Sequence, residues 1–139
     1  MRPAEPSEST RPSPETVLSV GGWHPRHSRV LALASNGAFA FALVDTNGDG
    51  SEIDLDELIL DDGEWRAGMS VGAGEFIAVG SRGSVYVLGY GSNVSGVRWA
   101  YGRADRPGAA EVEVDGRAIT VTIADTGWWV WVDPVVESN

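Results

Sequence analysis

Short apolar runs cut at close intervals by Asn-Gly and Asp-Gly pairs set the tightest limit on what this 139-residue chain can fold into. Such pairs turn the backbone sharply, so the runs between them read as strands of an all-β protein. Val30 to Ala34, Asn36-Gly37 and Ala38 to Val44 predict one hairpin, with Asn-Gly supplying positive φ angles. Leu58 to Leu60, Asp61-Asp62-Gly63 and Glu64 to Arg66 predict a second. Phe76 to Val79, Ser81-Arg82-Gly83 and Val85 to Tyr90 predict a third. Four further strands are expected at Val97–Tyr101, Ala110–Val114, Ala118–Ile123 and Trp128–Val132. Asp115-Gly116 and Asp125-Thr126-Gly127 join the last three.

Alternation is clean toward the C-terminus. Val112 and Val114 alternate with Glu111 and Glu113, and Ile119, Val121 and Ile123 alternate with Ala118, Thr120 and Thr122. A period of two with one apolar face is the signature of an antiparallel sheet. Helical spacing is confined to short stretches, the best being Asp54 to Leu60. The expected fold is an antiparallel β-sandwich or partly open barrel.

Hydrophobic residues make up 42% of the chain, enough for one buried core, and no run approaches the ~20 apolar residues of a spanning helix. The net charge of −10 argues against a nucleic-acid partner, because an acidic surface repels phosphate. Absence of cysteine excludes disulfides and thiolate chemistry. Ten arginines with no lysine point to a GC-rich genome.

Residues 1–16 hold four of the seven prolines and little to bury, so a disordered Pro/Ser/Thr-rich tail is expected there. No secretory signal follows Arg2, which makes the cytoplasm the default location. A spacer after a membrane anchor, outside the cytoplasm, is the alternative. Residues 17–92 are expected as a hairpin-rich β region and residues 93–139 as a second β region sharing its core.

The charge is concentrated in one block. Residues 45–64 contain nine acids and no arginine, leaving eleven acids against ten arginines elsewhere. Within it, Asp45-Thr46-Asn47-Gly48-Asp49-Gly50-Ser51 places oxygens at alternate positions before glycine, as a calcium loop requires. This opening resembles EF-hand and dockerin-type loops. The expected ligands are Asp45, Asn47, Asp49, the Ser51 carbonyl and Asp56. Ile53 and Glu57 each fall one residue late for an EF-hand, and the same pairs are turn formers without metal. The plainer reading is a turn between two strands.

In Trp128-Trp129-Val130-Trp131-Val132, strand geometry sends Trp129 and Trp131 to one side and the other three residues to the opposite side. One side enters the core. The other is covered by the N-terminal hairpins, or Trp129 and Trp131 form a platform for a sugar or a peptide. His24 and His27 flank Pro25, which opposes a helical metal pair, so they read as loop residues. Asn93-Val94-Ser95 matches a glycosylation sequon, and the glycine clusters at 72–74, 80–83 and 89–91 read as turns and bulges.

Trp99-Ala100-Tyr101-Gly102-Arg103-Ala104, Pro107-Gly108-Ala109, the alternating valines, Asp115-Gly116-Arg117 and Asp125-Thr126-Gly127-Trp128-Trp129 form a recurring order. It resembles small immunoglobulin-like β-domains of uncharacterised actinobacterial proteins, over roughly residues 84–135. The resemblance implies immunoglobulin-like C-terminal strands and a GC-rich bacterial source, and carries no activity or site residues. The functional expectation is a non-enzymatic binding or accessory module with a protein or carbohydrate partner and no cofactor. Calcium at the acidic loop is the alternative.

Overall fold

A computed structural model describes residues 11–72 and 80–134. Helix α1 (Pro14–Gly21) precedes ten strands: β1 (Arg29–Ser35), β2 (Phe39–Asp45), β3 (Ile53–Asp61), β4 (Glu64–Gly72), β5 (Gly80–Arg82), β6 (Val85–Ser92), β7 (Arg98–Ala104), β8 (Gly108–Val114), β9 (Arg117–Ile123) and β10 (Trp128–Val132). Sheet 1 has the order β1-β2-β3-β4, sheet 2 the order β10-β7-β6-β5, and β8-β9 is a separate ribbon. Among the described residues every pairing is antiparallel and no sheet closes on itself, so the fold is an all-β sandwich.

The turn chemistry explains the hairpins. Asp62-Gly63 and Asp115-Gly116 each put two successive residues at positive φ (53° and 80°, 53° and 78°), the two-residue turn whose twist suits paired strands. Asn36-Gly37 works differently from expectation. Gly37 alone takes positive φ, at 95°, while the Asn36 Oδ1 accepts from the amides of Ala38 and Phe39.

Alternation sorts the apolar residues into three stacked cores. Between the sheets lie Leu31, Phe41, Leu43 and Leu55 from sheet 1 and Trp99, Tyr101, Trp128 and Val130 from sheet 2. On the outer face of sheet 1, Val17 and Leu18 of α1 cover Ala40, Ala42, Val44 and Leu58. On the outer face of sheet 2, Val112, Val121 and Ile123 of the ribbon cover Val87, Ala100 and Trp129. The layers therefore run helix, sheet, sheet, ribbon.

Two expectations change. Asp54–Leu60 lies within strand β3 and is not helical. Leu55 and Leu58 mimic a helical spacing only because both faces of this strand are covered, Leu55 packing inward and Leu58 under α1. The helix instead starts at Pro14, inside the stretch expected as tail. Ser13 caps it through the amide of Thr16, Pro14 opens its first turn, and Gly22 at φ 77° closes it. Residues 1–10, 73–79 and 135–139 lie outside the described residues, and the expected strand at Phe76–Val79 falls there; β5 and β6 are the described parts of that hairpin. β6 pairs with β7 along its length, so sheet 2 takes strands from both expected β regions.

Candidate functional sites

The acidic loop connects β2 to β3. Asp45 is fully buried, and its two oxygens accept from the amides of Gly48 (3.0 Å) and Gly50 (2.9 Å). Asp49 is exposed, and its Oδ1 accepts from the Ser51 amide (2.9 Å) and hydroxyl (2.6 Å), which holds its pKa below the ordinary value. Asn47 donates to Ser51 Oγ and Glu52. Backbone and side-chain donors within the turn thus engage both Asp45 oxygens and Asp49 Oδ1.

Asp56 does not join this loop. It pairs with Ala42 on the α1-covered face, whereas Asp45 pairs with Ile53, which points into the core between the sheets. The five expected ligands do not converge on one centre. Among the described residues no group of three or more His, Cys, Asp or Glu is placed to hold a metal ion.

The Asp56 carboxylate accepts from Trp23 Nε1 (2.6 Å) and Ser70 Oγ (2.8 Å), beside a cavity of about 110 Å³ between α1 and β4. Next to it, Asp54 has a raised pKa, first through partial burial and then through the charges of Asp56 and Glu52. Alternation alone would have missed the Trp23 contact, because it links a loop to a strand 33 residues away.

Glu57 is the third buried acid among the described residues. Its oxygens accept from the Met69 amide (2.9 Å) and from Asn93 Nδ2 (2.8 Å). A bulge in β4 makes room for it, since a Cβ at Gly68 would stand 2.6 Å from Glu57 Oε1. The sequon asparagine is therefore a buried donor, engaged with Glu57.

The tryptophan run splits as its strand geometry requires. Trp128, Val130 and Val132 enter the core between the sheets, and Trp129 and Trp131 face the ribbon. Trp129 is 0% exposed, so it cannot serve as an open platform, and its cover is the β8-β9 ribbon rather than the N-terminal hairpins. Trp131 is half-buried at the rim of a cleft of about 190 Å³, together with Tyr90, Arg98, Asp115 and Arg117. Tyr90 is 46% exposed, one of the few large apolar side chains open to solvent among the described residues. Arg98 is anchored there by Asp133 (3.1 Å).

His24 and His27 are exposed loop residues with rings 4.5 Å apart, and His24 Nδ1 accepts from the Arg26 amide. Gly89 and Gly91 are strand residues: a Cβ at either would meet the rings of Tyr101 (2.6 Å) and Trp99 (2.7 Å), which lie across them. No helix among the described residues is long and apolar enough to cross a membrane.

By fold the chain is an all-β sandwich with one short helix. Compared with known proteins, it matches no family model, no curated protein and no solved structure.

Proposed function

We propose that this protein is a non-catalytic binding module whose ligand seats in the cleft between Trp131 and Tyr90. The observation that carries the reading is the pairing of an exposed aromatic ring with a half-buried one at a rim that also holds Arg98, Asp115 and Arg117. Aromatic faces flanked by a few polar groups suit a carbohydrate, whose apolar ring face stacks while its hydroxyls reach the charged side chains. At about 190 Å³ the cleft is smaller than the usual ~300–1,000 Å³ ligand pocket, which favours recognition of one terminal unit over enclosure of a whole ligand. The non-catalytic character rests on the buried acids: Asp45, Asp56 and Glu57 each already accept from two donors. The immunoglobulin-like kinship of residues 84–135 belongs to this proposal, and the strands β6 to β10 that fall in that range supply the whole cleft.

The test is a glycan array followed by calorimetric titration of any hit against Tyr90→Ala and Trp131→Ala. The expected result is binding to a glycan class that both substitutions weaken at least tenfold. Binding indifferent to both, or no glycan bound, overturns the reading.

A further inference from the structure

A second surface, beyond the cleft, is defined by strand edges that face away from their ladders. In the β10–β7 pair, the bonds from the Ala104 amide to the Gly127 carbonyl and from the Asp133 amide to the Arg98 carbonyl fix which residues face β7. By antiparallel alternation, the amides and carbonyls of Val130 and Val132 point away from β7. In the β1–β2 pair, the bond from the Asn36 amide to the Phe39 carbonyl likewise turns Leu33 outward, and Arg11 donates to the Leu33 carbonyl from that side (3.4 Å). In the ribbon, the two-residue Asp115-Gly116 turn makes Val114 and Arg117 a bonded pair, so Thr120 and Thr122 face outward. The outward-facing Val130, Val132, Leu33, Thr120 and Thr122, with Arg11, line one groove of about 550 Å³.

We propose that this groove accepts one extended peptide segment of a partner protein, adding a strand to the free edge of β10 between the edges of β1 and β9. A lone strand is favoured over the edge of a second copy, because β10 lies between β1 and β9 and an equally flanked edge cannot reach it. The chemistry of the segment follows from the lining. Arg11 is its one charged residue and has no carboxylate partner among the described residues, while the remainder is small, apolar or hydroxyl-bearing. The segment therefore carries β-branched or small residues and an acidic side chain placed against Arg11.

The probe is a displayed library of random twelve-residue peptides selected on the full chain, with the selected sequences resynthesised. Expected are peptides of that composition whose affinity falls at least tenfold on N-methylation of alternate backbone amides. Val130→Pro removes an outward amide without breaking the β7 ladder, and is expected to weaken binding equally. Arg11→Glu should reverse the preference for an acid. Affinity unaffected by N-methylation overturns strand addition, and this arm needs no altered protein. Failure to select any peptide overturns it too. A concentration-dependent dimer in sedimentation that Val130→Pro abolishes would assign the groove to a second copy. Binding seen only after residues 1–10 are removed would assign it to that segment. Trp131 lines both the groove and the cleft, whereas Tyr90 lines only the cleft. Tyr90→Ala should therefore leave peptide binding unchanged, which tells failure of one proposal from failure of the other.

Discussion

Glu57 on β3 and Asn93, just beyond the end of β6, join the two sheets by a buried hydrogen bond of 2.8 Å. Asn93 Oδ1 in turn accepts from the amides of Ser95 and Val97, so one side chain shapes the β6–β7 turn and satisfies a buried acid. Asn93→Ala should cost about 3 kcal/mol, because it leaves a buried carboxylate oxygen without its donor. Urea melts check this, with Val94→Ala, at a fully exposed neighbour, as the control. Equal midpoints for the two variants would contradict the network.

Val121→Asp and Thr122→Asp should separate sharply. Val121 is 2% exposed in the ribbon core and Thr122 is exposed, so only the first buries an unpaired carboxylate. Because the ribbon covers Trp129, Val121→Asp is expected to red-shift tryptophan emission as well as lower the melting temperature. Equal tolerance would mean that the β8–β9 register is wrong.

Gly48 and Gly50 share a φ of 80°, yet a Cβ at Gly48 would stand 2.6 Å from the His27 carbonyl oxygen while Gly50 faces open space. Alanine at either position carries the left-handed strain of roughly 1–2 kcal/mol. Gly48→Ala should lose more, by the added clash, and thermal melts will rank the two. In the same assay CaCl₂ and MgCl₂ are expected to give matching shifts that Asp49→Asn leaves alike, as screening of the acidic block would produce. A calcium-selective rise that Asp49→Asn abolishes would establish the metal reading of the loop.

Asp54 gives a pH signature. Its folded pKa lies above the ordinary 3.8, so the fold disfavours the charged form and Asp54 weakens the native state once pH rises through that value. Asp54→Asn should therefore raise the melting temperature at pH 7, with the gain shrinking toward zero below pH 3.8. Asp49, with a lowered pKa, acts in the opposite sense and loses its contribution as the solution is acidified. A gain for Asp54→Asn that is constant across pH would point away from charge.

Local chemistry made the strands readable. The Asp62-Gly63 and Asp115-Gly116 turns and the alternation of Val112, Val114, Ile119 and Val121 depend on neighbours in the chain, and the structure repeats them. Helix α1 was signalled by Ser13, Pro14 and Gly22, but eight residues give too few apolar repeats to stand out. Asp56 and Asn93 could not be placed, because their partners Trp23 and Glu57 lie 33 and 36 residues away. Which element covers Trp129 was also closed to sequence, since either neighbouring hairpin satisfies the same periodicity.

The strand order has a kinetic consequence. Sheet 1 is a meander in which each strand pairs with the next, so its contacts close short loops. Pairing β10 with β7 must instead close a loop that contains the whole β8–β9 ribbon. Long-range closure costs chain entropy before its contacts form, which places the principal folding barrier at β10. Substitutions in β10 should then slow refolding, whereas those in the β3–β4 hairpin should mainly accelerate unfolding.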